Sequence, residues 1–412
     1  MTFAAELEVA GRDVTVVGGS AGALGKISSL VQAGARVTVI SEQVATSIRD
    51  LAERGLLTWL PRNAEGADFR RSALVIAATG SVHTDHEMRL AAATENRLTI
   101  AVHTSPPPPE PAPLPEPVQG PLPDPAPLPE PPPLPEPVEG PLPDPAALTE
   151  PPPFPEPVEG PPTDAPTIPG RVILVGGGPG DPGLLTVAGL AAIRAADVLV
   201  VDRLAPLAAL QQARLGALVL DVGKIPRGDF TPQERINALL VEHALAGRLV
   251  VRLKGGDNFI FGRGGEEWQA CAAAGIAVEV IPGVSSAVAA PALAGIPLTH
   301  RQLTQGFTVV SGHLPPGHPG STLDWAALAR TNTTLVVMMG VATLPAVTEE
   351  LVRQGMARST PAATVADAGM ASQRSVKGTV ADIAQLTLEA GIGAPAIIVI
   401  GAVAGFDATR PT

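Results

Sequence analysis

Glycines cluster directly after strand-like apolar runs in the C-terminal half of the chain. Residues 250–253 lead into Gly255, Gly256 and Asp257, and then into the sequence GRGG at 262–265. Glycine has no Cβ, so a ligand can approach such a loop closely. Open α/β sheets bind their ligands at this end of the strands. The pattern predicts a binding loop here, although each glycine pair taken alone is equally compatible with a structural turn.

A second glycine-rich segment, VGGGPGDPGLLT at 175–186, also follows an apolar run. Pro179 and Pro182 have no backbone N–H, so this corner is a poor cradle for a phosphate. We expect it to form the wall of a cleft.

A third glycine segment lies near the N-terminus, where VVGGSAGALGK at 16–26 joins a strand-like run to a helical one. Gly18, Gly19 and Gly22 would let the backbone approach a pyrophosphate at the start of a helix. Glu42, at the end of the next apolar run, could bind a ribose hydroxyl. The spacing departs from GxGxxG, and the alternative is a glycine turn found in any α/β protein.

Apolar runs that alternate with helical patterns must position these loops. The alternation predicts a Rossmann-like parallel α/β module over residues 1–104 and further α/β structure over 170–406. The predicted helices include 23–33 and 85–93, and the predicted strands are 14–17, 37–40, 73–78, 98–102, 172–175, 198–201, 250–253, 278–281, 308–310, 335–338 and 396–400.

Residues 105–169 separate the two halves and are rich in proline. PEPVQG at 115–120 recurs as PEPVEG at 135–140 and 155–160, a period of 20 residues. Proline blocks helix formation and the acidic residues repel one another, so we predict a disordered spacer. A ligand for proline-binding modules is the alternative function of this segment.

Charge and cysteine content exclude several classes of protein. The net charge is −12, but eleven carboxylates of segment 105–169 account for all except −1 of it. The remainder has no basic excess for binding nucleic acid. The single cysteine excludes an intrachain disulfide, no metal site is predicted, and a reducing compartment is expected. No uninterrupted apolar run suits a membrane span, so we expect a cytoplasmic protein that does not associate with membranes.

The C-terminal motifs together resemble the uroporphyrinogen-III C-methyltransferase family, which is the methyltransferase half of siroheme synthase. Further pieces fall in the family's order over residues 170–404. They are DRL at 202–204, VGK at 222–224, PQERIN at 232–237, PGVSSA at 282–287, GIPLTHR at 295–301, SGH at 311–313, DW at 324–325 and MMG at 338–340.

The resemblance implies a fold of two α/β subdomains with an S-adenosylmethionine site in the cleft between them. Ala368 matches a cofactor position where the family usually has glycine, and this departure changes the side-chain volume beside the adenosyl group. The other residues that match cofactor positions are Pro179, Gly255, Gly256, Asp257, Ile260, Ser285, Ser286 and Met339.

The resemblance also implies the chemistry, in which a tetrapyrrole carbon is methylated. Asp202 and Lys224 match the family's proton acceptor and proton donor. Because the substrate is a polycarboxylate, Arg and His side chains should line its site. The candidates are Arg252, Arg263, His300, Arg301 and His313. For each of these a structural salt bridge or a solvated surface position is the alternative.

The N-terminal module resembles, more weakly, the precorrin-2 dehydrogenase half of the same bifunctional enzymes. That half ends in an aspartate, whereas this chain has Thr104 followed by prolines. We therefore expect a module that can bind NAD but is catalytically incomplete.

Two alternatives to this incomplete module stay open. One retains NAD-dependent oxidation with His83, Asp85 or His103 as the base. The other makes the module a docking or regulatory device. The family also implies a homodimer.

Overall fold

The structure is a computed structural model that describes residues 7–101, 170–223 and 231–408. Every strand predicted from the sequence is present, together with four that were not predicted. In these described residues, no helix is long and apolar enough to cross a membrane.

The N-terminal module is a five-stranded parallel sheet with the strand order β3-β2-β1-β4-β5. This is the Rossmann-like arrangement expected from the alternation of strands and helices. The strands are β1 (Asp13–Val17), β2 (Arg36–Ile40), β3 (Thr58–Leu60), β4 (Leu74–Ala77) and β5 (Leu98–Ala101), and the helices are α1 (Leu24–Gln32), α2 (Thr46–Glu53) and α3 (Val82–Thr94).

A second five-stranded parallel sheet opens the C-terminal half, with the order β10-β6-β9-β7-β8. Its strand β7 is buried along its whole length, as expected for a parallel strand covered on both faces. The strands are β6 (Arg171–Gly176), β7 (Val198–Val201), β8 (Leu218–Asp221), β9 (Leu249–Lys254) and β10 (Ala277–Ile281), and the helices are α4 (Val187–Ala195), α5 (Gln233–Leu245), α6 (Gly264–Ala273) and α7 (Ser286–Leu293).

The third sheet has the order β11-β12-β15-β13-β14 and is mixed. Only β11 and β12 pair in parallel, because β15 returns antiparallel to both β12 and β13. The strands are β11 (Phe307–Ser311), β12 (Thr334–Met338), β13 (Pro361–Ala366), β14 (Arg374–Thr379) and β15 (Ala396–Ile400), and the helices are α8 (Trp325–Arg330), α9 (Leu344–Arg353) and α10 (Ile383–Glu389).

One apolar core joins the N-terminal module to the second sheet. Leu24 and Ile27 of α1 belong to the same buried cluster as Leu207 and Leu210, which lie in a 3₁₀ helix after β7. Gly25 permits this approach, since a Cβ there would lie 3.0 Å from the backbone nitrogen of Gln211. The two halves therefore pack directly against each other, in addition to being connected by the proline-rich segment.

Candidate active site

Three glycine-rich loops converge at the carboxyl ends of β6, β9 and β10. Gly178 and Gly256 exchange two backbone hydrogen bonds, of 3.1 and 2.7 Å. A Cβ on Gly176 would lie 2.4 Å from the nitrogen of Gly283, so only glycine fits there. The structure thus brings together the two loops that the sequence suggested separately, and adds the loop after β10.

Asp257 shapes the loop after β9. Its carboxylate accepts hydrogen bonds from the backbone N–H of Phe259, at 2.9 Å, and from that of Gly283, at 3.1 Å. Gly256 has a φ of +68°, a conformation that favours glycine. A Cβ on Gly256 would enter the space beside Ser286, 3.6 Å from its Oγ.

The loop after β13 meets the loop that carries Pro179. A Cβ on Gly369 would lie 3.5 Å from Cγ of Pro179. Ala368 is buried beside it, and Asp367 adopts a positive φ of +50°. Four of the expected cofactor positions, namely Pro179, Gly256, Ser286 and Ala368, therefore lie on loops in mutual contact.

The remaining expected cofactor residues either support the loops or expose apolar side chains to solvent. Gly255 abuts the loop after β7, because a Cβ there would lie 2.5 Å from the carbonyl oxygen of Leu204. Ser285 caps helix α7 by accepting a hydrogen bond from the backbone of Ala287. Ile260 and Met339 are apolar but 41% and 48% exposed, which suits side chains that could cover a bound molecule.

These loops offer a surface against which S-adenosylmethionine could bind, and the assignment of its individual contacts stays a prediction. The positive φ of Gly256 and the space that its missing Cβ leaves beside Ser286 form a backbone cradle, which a flat adenosyl group could contact. The carboxylate of Asp257 lies in this loop and would repel the negative charge of a polyphosphate, whereas a nucleoside carries no such charge.

Asp202 follows β7 and belongs to a network of charged side chains. Arg252 Nη2 donates to Asp202 Oδ1 at 2.6 Å, and Arg252 Nε donates to Glu267 Oε1 at 2.9 Å. Lys254 Nζ donates to Glu267 Oε2 at 2.8 Å. Arg252, Lys254 and Glu267 are buried, whereas the Asp202 side chain is 31% exposed. The network therefore begins in the core and ends at the surface on Asp202.

Burial and charge act in opposite directions on the two cations of this network. Burial disfavours the charged guanidinium of Arg252, but the carboxylates of Asp202 and Glu267 outweigh it and raise the pKa of Arg252. For Lys254, burial and the neighbouring Arg252 lower the pKa despite the contact with Glu267. Glu267 thus neutralises two cations in a place with little access to water.

Arg252 was expected to bind substrate, but in the structure it is buried in the core of the second sheet. It is 2% exposed, and its guanidinium is already bound to Asp202, Glu267 and the carbonyl oxygen of Val200. This geometry points to a residue that holds Asp202 in place. The four other candidates lie nearer the surface.

Arg263 makes a bidentate, half-exposed pair with Glu266. The ring of His300 lies 5.5 Å from that of Phe406, and Arg301 and His313 are exposed. Lys224, the expected proton donor, lies outside the described residues.

Sequence reasoning missed Lys254 and Glu267. A signal was present, because Arg252 and Lys254 are two residues apart in a strand and so share one face. Two cations on one face of a buried strand require a buried anion. Glu267, in the first turn of the following helix, supplies it.

The N-terminal module carries a groove of about 770 Å³ at the carboxyl ends of its strands. Gly18, Gly19 and Glu42 line it, and Glu42 accepts a hydrogen bond from Asn63. Gly22 is exposed in the 3₁₀ turn before α1. A Cβ on Gly18 would lie 2.2 Å from the carbonyl oxygen of Ala78, so close packing within the module itself requires this glycine. The groove lies where Rossmann-like sheets bind a dinucleotide, and the binding of a ribose by Glu42 stays a prediction.

Of the residues considered as a base for oxidation, Asp85 and His83 do not line this groove. Asp85 is buried and accepts hydrogen bonds from the backbone and the hydroxyl of Thr79. His83 is exposed and pairs with Glu87, while His103 lies outside the described residues.

Two family models match the chain. Residues 171–384 match the model described as tetrapyrrole (corrin/porphyrin) methylases, and residues 6–108 match one described as putative NAD(P)-binding. The two matches cover the two halves whose geometry is given above.

Similar proteins fall into the same classes. Over 232 residues the chain is 46% identical to an S-adenosyl-L-methionine-dependent uroporphyrinogen III methyltransferase of Methanosarcina barkeri, covering 56% of this chain and 91% of that protein. Over 440 residues it is 36% identical to a siroheme synthase of Neisseria meningitidis, covering 96% of this chain and 91% of that protein. A solved cobalt precorrin-4 methyltransferase matches with a TM-score of 0.51 and 27% identity, covering 56% of this chain and 94% of that one.

Proposed function

The chain belongs to the tetrapyrrole (corrin/porphyrin) methylase family, and we propose that it transfers methyl groups from S-adenosylmethionine to C2 and C7 of uroporphyrinogen III, giving precorrin-2. This step lies in siroheme and cobalamin formation. The match to the Methanosarcina enzyme, which spans nearly all of that protein, supports the choice of substrate.

One observation carries the proposal: the loop that begins at Asp202 packs against the glycine loop that we assign to the cofactor. A Cβ on Gly255 would lie 2.5 Å from the carbonyl oxygen of Leu204, two residues after Asp202. A carboxylate next to the methyl donor's cradle is placed to receive the proton that the methylated carbon must lose.

The protein's part in the reaction is alignment and proton handling. S-adenosylmethionine supplies an electrophilic methyl group, and the electron-rich pyrrole carbon is the nucleophile. The loops after β6, β9 and β10 would hold the donor so that the two partners meet in line. As the new carbon–carbon bond forms, the methyl–sulfur bond would break and S-adenosylhomocysteine would leave. Asp202, oriented by Arg252, would accept the proton that the methylated tetrapyrrole loses, and Lys224 is retained as the family's proton donor.

Binding of the polycarboxylate substrate is assigned to cations outside the buried network. Arg263, His300, Arg301 and His313 are retained as candidates, and their positions nearer the surface suit contact with propionate and acetate arms. Arg252 is reassigned from substrate binding to the orientation of Asp202.

A time course with labelled S-adenosylmethionine tests the proposal. Wild-type protein should transfer label to uroporphyrinogen III, and Asp202→Asn should slow transfer by roughly a hundredfold while retaining affinity for S-adenosylhomocysteine. Asp324→Asn is the matched control, because that carboxylate only caps helix α8. Equal rates in wild type and Asp202→Asn would remove Asp202 from the chemistry.

A second candidate function is NAD-dependent oxidation of the product to sirohydrochlorin. The similarity to a siroheme synthase along 96% of this chain and the groove lined by Glu42 favour it. Against it, the carboxylate of Asp85 already accepts hydrogen bonds from Thr79, and His83 forms an exposed pair with Glu87. We therefore propose NAD binding without oxidation. Formation of NADH from precorrin-2 would support the bifunctional alternative instead.

We also propose that the chain forms a homodimer in the cytoplasm. The stacked, half-exposed rings of Phe259 and Trp268, with centroids 6.1 Å apart, are an apolar surface of the kind that interfaces cover. The lone, buried Cys271 suits a reducing compartment. Sedimentation velocity at micromolar concentration tests the dimer, and a single monomeric species would contradict it.

A further inference from the structure

Helix α2 of the N-terminal module contacts three loops of the methyltransferase half. These loops follow β7, β8 and β13. The first carries Asp202 and the third carries Ala368, both of the proposed site, whereas the second is described as far as Gly223. The contacts come from Ser47, Asp50 and Arg54, which share one helical face by their spacing of three and four residues.

The first contact is with the end of β8. Ser47 donates its backbone N–H to Asp221 Oδ2 at 2.7 Å and its hydroxyl to Asp221 Oδ1 at 2.8 Å. Asp221 Oδ1 also accepts the N–H of Gly223 at 3.0 Å. Gly223 is the last described residue of this segment, so Ser47 helps to fix the backbone directly after β8.

The second contact centres on Asp50, whose side chain is 7% exposed. Asp50 Oδ1 accepts from Arg203 at 2.9 Å, and Asp50 Oδ2 accepts from Arg54 at 3.2 Å. Arg203 is the neighbour of Asp202 in the chain. A buried carboxylate therefore holds the residue next to the proposed proton acceptor.

The third contact reaches the cofactor side. Arg54 Nη2 donates to Asp367 Oδ1 at 2.5 Å, and Asp367 adopts a φ of +50°, which a side chain tolerates only when its surroundings hold it. Ala368 follows. Gln32, at the end of α1, adds a hydrogen bond of 3.3 Å to the carbonyl oxygen of Gly369.

We propose that helix α2, through Asp50 above all, is a positioning element of the methyltransferase site, so that the N-terminal module is needed for full methyl transfer whether or not it oxidises anything. This rests on the proposed function for the identity of the reaction. The charges alternate along Arg203, Asp50, Arg54 and Asp367, and each partner is at most 17% exposed, so water cannot readily replace a lost member.

Point substitutions in the full chain test this inference better than removal of the module, which would expose Leu207 and Leu210 of the shared core. Asp50→Asn should lower kcat for methylation roughly tenfold, because a displaced Asp202 would be misaligned in the transition state. The KM for uroporphyrinogen III should stay within about twofold. Arg54→Gln should weaken binding of S-adenosylhomocysteine by roughly fivefold, measured by calorimetry. Asp50→Glu should restore part of the lost rate, since it keeps the charge.

The matched control is Asp13→Asn, which breaks the exposed pair with Arg36 inside the same module. It should change neither kcat nor the affinity for S-adenosylhomocysteine. Circular dichroism and thermal melting of each variant separate a misplaced site from an unfolded chain, and Ser47→Ala provides a milder variant if Asp50→Asn does not fold.

The outcomes separate the two proposals. If wild-type protein binds S-adenosylhomocysteine but does not methylate uroporphyrinogen III, the proposed function is refuted. The calorimetric comparison of Arg54→Gln with wild type would still test whether helix α2 positions the site. Folded Asp50→Asn and Arg54→Gln proteins with wild-type kcat and wild-type affinity would overturn only the proposal that helix α2 positions the methyltransferase site.

Discussion

Arg252 Nη2 lies 2.6 Å from Asp202 Oδ1, and the same guanidinium binds the fully buried Glu267. The partly exposed carboxylate at the candidate site is thereby tied to the interior of the second sheet. A side chain held in this way has little freedom to rotate, which is what a proton acceptor beside a fixed methyl donor requires.

Replacement of Glu267 by Gln should destabilise the fold strongly. Arg252 and Lys254 would remain buried without their shared anion, and we expect the free energy of unfolding to fall by about 3–5 kcal/mol. Urea denaturation measures it. Glu266→Gln is the matched control, because that neighbour is 48% exposed and should cost less than about 1 kcal/mol. Similar losses in both variants would contradict the assignment of the network.

Gly256→Val should abolish binding of S-adenosylhomocysteine. The φ of +68° strains any β-branched residue, and the new side chain would fill the space beside Ser286. Asp257→Ala should also lose binding, because it frees the N–H groups of Phe259 and Gly283. Gly265→Ala is the control, since a Cβ there meets nothing within 4 Å. Wild-type affinity in Gly256→Val, measured by calorimetry, would remove this loop from the site.

Stability should depend on the ionisation of Cys271 at alkaline pH. Burial raises the pKa of its thiol from 9.0 to about 11, with the charge of Glu267 adding to the effect. A raised pKa stabilises the fold below pH 9, and this contribution is lost as pH rises toward 11. We expect a loss of about 2 kcal/mol over this interval.

Cys271→Ala isolates this effect, because the cavity it creates costs the same at every pH. The difference in unfolding free energy between wild type and variant should shrink from pH 8 to pH 11. A constant difference would show that the buried thiol does not titrate in this range.

The proline-rich segment should tolerate shortening. Deletion of one repeat, residues 121–140, should leave the methylation rate within about twofold, because a tether contributes reach and no packing. A Gly-Ser segment of the same length in place of that repeat provides the comparison. If the deletion slows methylation tenfold while the replacement does not, the length of the spacer is critical and the prediction is wrong.

Periodicity predicted most of the strands and missed four, for reasons that differ from strand to strand. Strand β3 has only three residues, β13 begins with Pro361 and is rich in alanine, and β14 is a polar edge strand containing Gly378. Strand β8 is only half buried along its length. Such strands form because a neighbour offers a hydrogen-bonding edge, which the local sequence does not record.

The positions of the glycine loops after β6 and β9 could be predicted, because glycines that follow an apolar run are visible in the local sequence. The contacts of Ser47, Asp50 and Arg54 could not, since they join residues 153 to 313 positions apart. Tertiary packing, including that of α1 on the 3₁₀ helix after β7, brings them together. Charge alone also made Arg252 a substrate-binding candidate, and its burial was not visible in the sequence.

The most direct test is the mass of the tetrapyrrole after incubation of the purified full-length protein with uroporphyrinogen III and S-adenosylmethionine. We predict a product heavier by two methyl groups, with no sirohydrochlorin absorbance when NAD is added. A tetrapyrrole of unchanged mass, from protein that binds S-adenosylhomocysteine, would contradict the account.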